Sequence, residues 1–315
     1  MRRFFCIKNK EVCLRTRVYI DGYNLYYGCL KRTPYKWLDL AKLFQEYILP
    51  SSSQCASDYS DISIKYFTAD IVGKAAMSPD SLNDQQTYHR ALKFHAQEVD
   101  FEIIKGYYSV NQIRAFKVDE NNLNKHPNEC EYVNVWKLEE KQTDVNIAVE
   151  SLFDVMTDDN LEQVVFVTND TDLSSALEKI QSLNKVKVGL VIPTMDSIRK
   201  PNEKLDKFAD WTRKNILEEE LKASQLPRIV KGGRKAATKP VGWFGQPEIL
   251  ERIFELLLTV EPNRNKCWRW LEKKPPQFGD LPALEDLPIK MLDDEDLAKN
   301  VLLYAERYVE LFKQK

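Results

Sequence analysis

The stretch Val164-Val165-Phe166-Val167-Thr168-Asn169-Asp170-Thr171-Asp172 decides the fold. A continuous apolar, mostly β-branched run predicts a strand covered on both faces, because a strand with one wet face alternates instead. The polar residues after it predict a turn into a helix over 172–183, followed by another strand over 186–192. Moving outward toward the N-terminus, Val145, Ala148, Val149, Leu152, Phe153 and Met156 recur at helical spacing and predict a core-facing helix. Arg17-Val18-Tyr19-Ile20 predicts a first strand that stops at Asp21-Gly22, with further strands over 62–67 and 99–104. Helices are expected from Tyr23, behind an Asp39 cap and over 81–97, with a loop over 50–61 and an insertion of some β character over 107–140. Strands alternating with helices imply an α/β fold, a parallel sheet with helices on both faces.

In such sheets ligands gather beyond the carboxyl ends of the strands. Asp21 directly follows the first strand, Asp170 and Asp172 directly follow the strand at 164–167, and Asp144 opens the long helix with Thr143 as its expected N-cap. Taken singly, each has an ordinary explanation as a helix cap, a dipole partner or a turn residue. Taken together they predict converging carboxylates whose mutual repulsion a divalent cation would relieve. Hard oxygen ligands suit Mg²⁺ or Mn²⁺, and a metal so held activates water and neutralises a phosphodiester. Asn24 is expected to assist as a neutral oxygen or by placing the water. Thr168, Asn169 and Thr171 are expected to support the acids, and Lys141 to meet a substrate phosphate or simply to be solvated.

Three stretches carry a family resemblance: Val18-Tyr19-Ile20-Asp21-Gly22-Tyr23-Asn24-Leu25, Lys141-Gln142-Thr143-Asp144-Val145-Asn146-Ile147-Ala148-Val149 and Val167-Thr168-Asn169-Asp170-Thr171-Asp172-Leu173. In order and spacing they resemble the motifs of NYN domains, a PIN-like branch of the nuclease superfamily, over residues 14–200. The resemblance implies a Rossmann-like three-layer α/β/α fold and metal-dependent endoribonuclease chemistry. It makes Asp21, Asp144, Asp170 and Asp172 the metal-binding acids, with Asn24 assisting. Thr168-Asn169 stands where the family often has Ser-Gly, and Glu150 where a further Asp is common. The longer run from Arg15 to Leu30, with Pro34-Tyr35-Lys36-Trp37-Leu38-Asp39, is similar to a bacterial subgroup labelled 6-hydroxy-3-succinoylpyridine 3-monooxygenase, an NADH-dependent hydroxylase of nicotine degradation. Against that label, the ten glycines contain no G-x-G for a dinucleotide, and only three histidines are present to build an iron site. A third alternative is a non-catalytic module that uses the acidic pocket to hold RNA or a partner.

The rest of the chain organises around this domain, expected over 14–227. Residues 1–13 are expected to be a disordered leader, since Lys8, Lys10 and Glu11 interrupt any signal-like apolar run. The net charge of −2 gives no global footprint for nucleic acid, so RNA binding would need a local patch. Arg228, Lys231, Arg234, Lys235 and Lys239 supply one, and residues 228–240 are expected to form a flexible basic linker. Residues 241–315 predict a helical module with helices near 246–259, 264–273 and 294–313. It faintly resembles the toxin-binding module of some bacterial antitoxins, which would imply a protein partner, although core packing accounts for most of its aromatics. The six cysteines form no CxxC pair, and no apolar run approaches the roughly 20 residues needed to span a bilayer, so a cytoplasmic protein with reduced thiols is expected.

Overall fold

The computed structural model describes residues 14–51, 62–76, 78–96, 98–196, 199–233 and 235–314. The expected leader and most of the loop after residue 50 lie outside them. The chain divides into two compact units, one of residues up to Cys29 with Leu38–Thr238, the other of Leu30–Trp37 with Lys239–Lys315.

The first unit is built on a six-stranded sheet of β1 (Thr16–Asp21), β2 (Ile62–Thr68), β3 (Asp100–Lys105), β6 (Gln163–Val167), β7 (Lys187–Val191) and β8 (Trp211–Arg213). The spatial order is β3-β2-β1-β6-β7-β8 and every pairing is parallel. Every residue of β6 is buried, as its unbroken apolar run requires. Alternation divides the side chains: Tyr19, Val164, Phe166, Val188 and Leu190 share one core with Ile147, Val155, Leu177 and Ile180 of the Thr143–Thr157 and Ser174–Leu183 helices. Val18, Ile20, Val165 and Val167 point to the opposite face. The order reverses between β1 and β6, which is where a doubly wound sheet opens a crevice.

The expected insertion is a long antiparallel hairpin, β4 (Tyr107–Phe116) with β5 (Tyr132–Lys141), and β5 leads straight into the Thr143–Thr157 helix. The first helix begins as expected, Gly22–Leu25, and continues as a π-helical turn, Tyr26–Leu30. Here the chain passes so close to the end of the sheet that a Cβ on Gly28 would sit 1.7 Å from the Pro193 carbonyl oxygen. Gly28→Ala is therefore expected to destabilise the fold by about 1–3 kcal/mol, the usual cost of overpacking, measurable by urea denaturation.

Two expectations are corrected. The apolar stripe of the Thr143–Thr157 helix does not all face the core. Ala148 and Leu152 pack against it, while Val145, Val149, Phe153 and Met156 are 59–62% exposed. The helix docks instead through Ile147, Ser151, Asp154 and Val155, because Asp154 is drawn inward by Tyr19, Arg17 and Lys65. Nor are residues 228–240 a flexible linker. β9 (Ile229–Val230) pairs with β10 (Ala237–Thr238), Val230 and Ala237 are buried, and Gly232 lies against the Phe94 ring. Lys239 is buried over the Phe244 ring and so is not available to a phosphate backbone. Arg234 lies outside the described residues.

In the second unit the expected helices are Pro247–Leu257, Arg264–Leu271 and Glu295–Lys313, with a short Pro288–Met291 turn. Several of its aromatics are core, with Trp268 packed against Phe244 and Phe254, while Phe312 is exposed; Trp37 meets Trp243 edge-on. Cys29, Cys130 and Cys267 form no disulfide, while Cys6, Cys13 and Cys55 lie outside the described residues. Among the described residues no helix is long and apolar enough to cross a membrane.

Candidate active site

The crevice between β1 and β6 is closed by one chain of hydrogen bonds. Asp21, the last residue of β1, caps the Gly22–Leu25 helix: its Oδ1 accepts the Asn24 backbone N–H at 3.0 Å. Its Oδ2 accepts Asn24 Nδ2 at 2.6 Å and the Thr168 hydroxyl at 3.0 Å, which joins the ends of the two strands. Thr168 Oγ1 in turn accepts the Asp170 N–H at 3.1 Å, and Asp170 Oδ1 accepts the Asp172 N–H at 3.0 Å. Asn24 and Thr168 therefore position Asp21.

Asp144 enters from the hairpin side, in the first turn of the Thr143–Thr157 helix. The expected cap is corrected. Gln142, in the left-handed conformation at φ 73°, precedes the helix, and Thr143 is its first residue. The Thr143 hydroxyl instead donates to Glu140 Oε1 at 2.6 Å.

Charge is what the arrangement concentrates. Burial, then repulsion from Asp21, Asp170 and Asp172, pushes the Asp144 carboxyl up to about 6. Asp21 is buried and its carboxyl also lies above the usual range. Burial is the main cause and Asp170 adds to it, while the bonds from Asn24 and Thr168 act the other way. A further acid belongs to this group: Glu140 is raised by burial and by the charges of Asp21 and Asp144. Sequence reasoning missed it because only the hairpin's register turns Glu140 inward, its one signal being that it directly precedes the Lys141–Val149 motif.

The remaining expected residues take plainer positions. Lys141 pairs with Glu139 at 3.4 Å. Asn169 accepts the Asn202 N–H at 2.9 Å and holds the loop after β7. Thr171 opens a 3₁₀ turn, and Asp172 is exposed. Glu150 is turned away to Lys65 at 2.6 Å. The histidines do not assemble with the acids: His95 bonds Asp39 at 2.9 Å, His89 is buried beside Tyr66 and Tyr88, and His126 is exposed at the tip of the hairpin. As the side chains stand, no group of three or more His, Cys, Asp or Glu among the described residues is close enough to grip a metal ion. The acids share a field, and no coordination geometry is assigned to them.

A parallel sheet with acids gathered at its switch point defines a nuclease-like α/β domain, and the chain belongs to the NYN domain family, whose model matches residues 15–211. Among individual proteins, it is 43% identical over 306 residues to 6-hydroxy-3-succinoylpyridine 3-monooxygenase HspA of Pseudomonas putida (strain DSM 28022 / S16), a match covering 94% of this chain and 95% of that one. A crystal structure of a protein of unknown function from Vibrio parahaemolyticus RIMD 2210633 matches 65% of this chain and 93% of its own at 17% identity, with a TM-score of 0.36.

Proposed function

We propose that this protein is a metal-dependent endoribonuclease that cleaves RNA phosphodiesters at the β1/β6 crevice. The observation that carries the reading is the crowding of Asp144 by Asp21, Asp170 and Asp172, which leaves negative charge that the protein itself does not neutralise. Hard carboxylate oxygens suit a divalent cation, and Asp21, Asp144, Asp170 and Asp172 would hold Mg²⁺ or Mn²⁺ by drawing together from positions that do not yet grip one. When bound, that ion lowers the pKa of water and offsets charge on the phosphate. The protein's own contribution is placement: Asn24 and Thr168 fix Asp21, and the Asp170–Asp172 turn fixes the acids opposite. Membership of a family that is generally nuclease supports the reading.

A second reading, NADH-dependent hydroxylation of a pyridine, is favoured by the name of the 43% identical relative. The two are separated by incubating purified protein with RNA and Mn²⁺, with and without chelator, beside an assay of pyridine-dependent NADH consumption. The expected result is cleavage that chelator stops and Asp170→Asn abolishes. Cleavage indifferent to both would mean the nuclease lies elsewhere, and RNA binding without cleavage would leave a binding module.

A further inference from the structure

Tyrosines crowd the rim of the crevice. Tyr23, Tyr26 and Tyr27 follow Asp21 on the first helix and are 42%, 36% and 48% exposed. Tyr23 and Tyr27 lie against each other, with ring centroids 4.4 Å apart and planes tilted by 36°. Tyr26 meets Tyr27 edge-on at 5.3 Å and 86°, which fixes the orientation of that ring. The Tyr23 hydroxyl hydrogen-bonds to that of Tyr108, and Tyr108 lies directly across the β4–β5 ladder from Glu140. The tyrosines thus lie within electrostatic reach of Glu140, which itself feels the charges of Asp21 and Asp144.

We propose that Tyr23 and Tyr27 form a stacking platform that seats one planar nitrogen-containing ring of the substrate beside these carboxylates. Resting on the ribonuclease reading, it assigns that ring to a base of single-stranded RNA. An unpaired base offers a π-face to any aromatic, so such a platform accepts RNA without demanding a sequence. None of the three rings is buried in the core, and each keeps a third or more of its surface exposed.

The test uses the full chain carrying Asp170→Asn, so that binding is read without cleavage, by fluorescence anisotropy of a labelled short single-stranded RNA. Tyr27→Ala is expected to weaken RNA binding about tenfold, in the range of base–aromatic stacking, and Tyr27→Phe to restore it. An abasic oligonucleotide of the same length, having phosphates and sugars but no bases, is expected to bind the parent and Tyr27→Ala alike. Tyr27→Leu and Tyr23→Ala, checked for unchanged far-UV circular dichroism, guard against a folding defect. The proposal is overturned if these folded variants bind RNA as tightly as the parent, or if RNA and abasic strand lose affinity equally. A hydroxypyridine forms the second arm. Loss there, with no RNA bound by the parent, keeps the platform and transfers its ring to a small molecule. Failure of the wild-type protein to cleave RNA strikes the ribonuclease reading alone.

Discussion

Asp144→Asn is expected to lower metal-dependent RNA cleavage by on the order of 10²–10³-fold, the usual loss when one preorganised electrostatic element is removed from a site. The same change is expected to stabilise the protein when metal is withheld. In the folded chain the Asp144 carboxyl stands at about 6, against an ordinary 3.8. A carboxyl whose folded value is raised binds its proton more tightly in the native state than in the unfolded one. Its favourable contribution is complete below the unfolded value and is lost as pH climbs through the folded value. Melts of metal-free protein between pH 3.8 and about 6 should therefore show the wild type losing stability relative to Asp144→Asn as pH rises. Identical pH profiles for the two proteins would show that Asp144 carries no such burden. Gain of stability with loss of activity is the pattern expected where acids are crowded for function.

Asp154→Ala, on the same helix, is expected to cost about 1–3 kcal/mol of stability, the penalty for leaving a buried polar group without its partner. Asp154 is buried and receives Arg17 at 3.0 Å, Lys65 at 2.8 Å and the Tyr19 hydroxyl at 2.8 Å. Its loss takes the acceptor from the Tyr19 hydroxyl and one of two carboxylates from each cation, Asp158 still meeting Arg17 at 3.2 Å and Glu150 still meeting Lys65 at 2.6 Å. Glu150→Ala removes a partner that is itself well solvated and is expected to cost less than about 1 kcal/mol. Urea denaturation of the two variants measures the contrast. Comparable losses would mean that the network is not centred on Asp154. The comparison also separates the two kinds of acid on this helix: Asp144 is crowded by like charges, Asp154 is surrounded by opposite ones.

The helix at 143–157 shows where periodicity runs out. Val145, Val149, Phe153 and Met156 repeat at helical spacing as regularly as the residues that do pack. Spacing records which side chains share a face; it does not record which face meets the sheet. Here a polar residue, Asp154, decides the rotation, because Arg17 and Lys65 on the underlying strands require an anion. The 228–240 stretch misleads for a related reason. Its glycines and cations resemble a linker, yet the glycines admit the Phe94 ring, and Lys239 lies along Phe244. The segment Leu30–Trp37 likewise gives no local sign that it clusters with the C-terminal helices.

By itself, the sequence determined the α/β class, the parallel order implied by alternating elements, and the positions of Asp21, Asp170 and Asp172 at strand ends. Those features depend on local patterns, on runs of apolar residues and on the polar residues that end each run, and such patterns survive in one dimension. Only the tertiary structure decided that Glu140 joins the acids, that Asn24 holds Asp21 through its amide nitrogen, and that Tyr23 and Tyr27 pack together beside them. Each of these depends on register or rotation: the pairing of β4 with β5, the turn of one helix about its axis. Such quantities are fixed by packing between segments distant in sequence, and no single segment contains them.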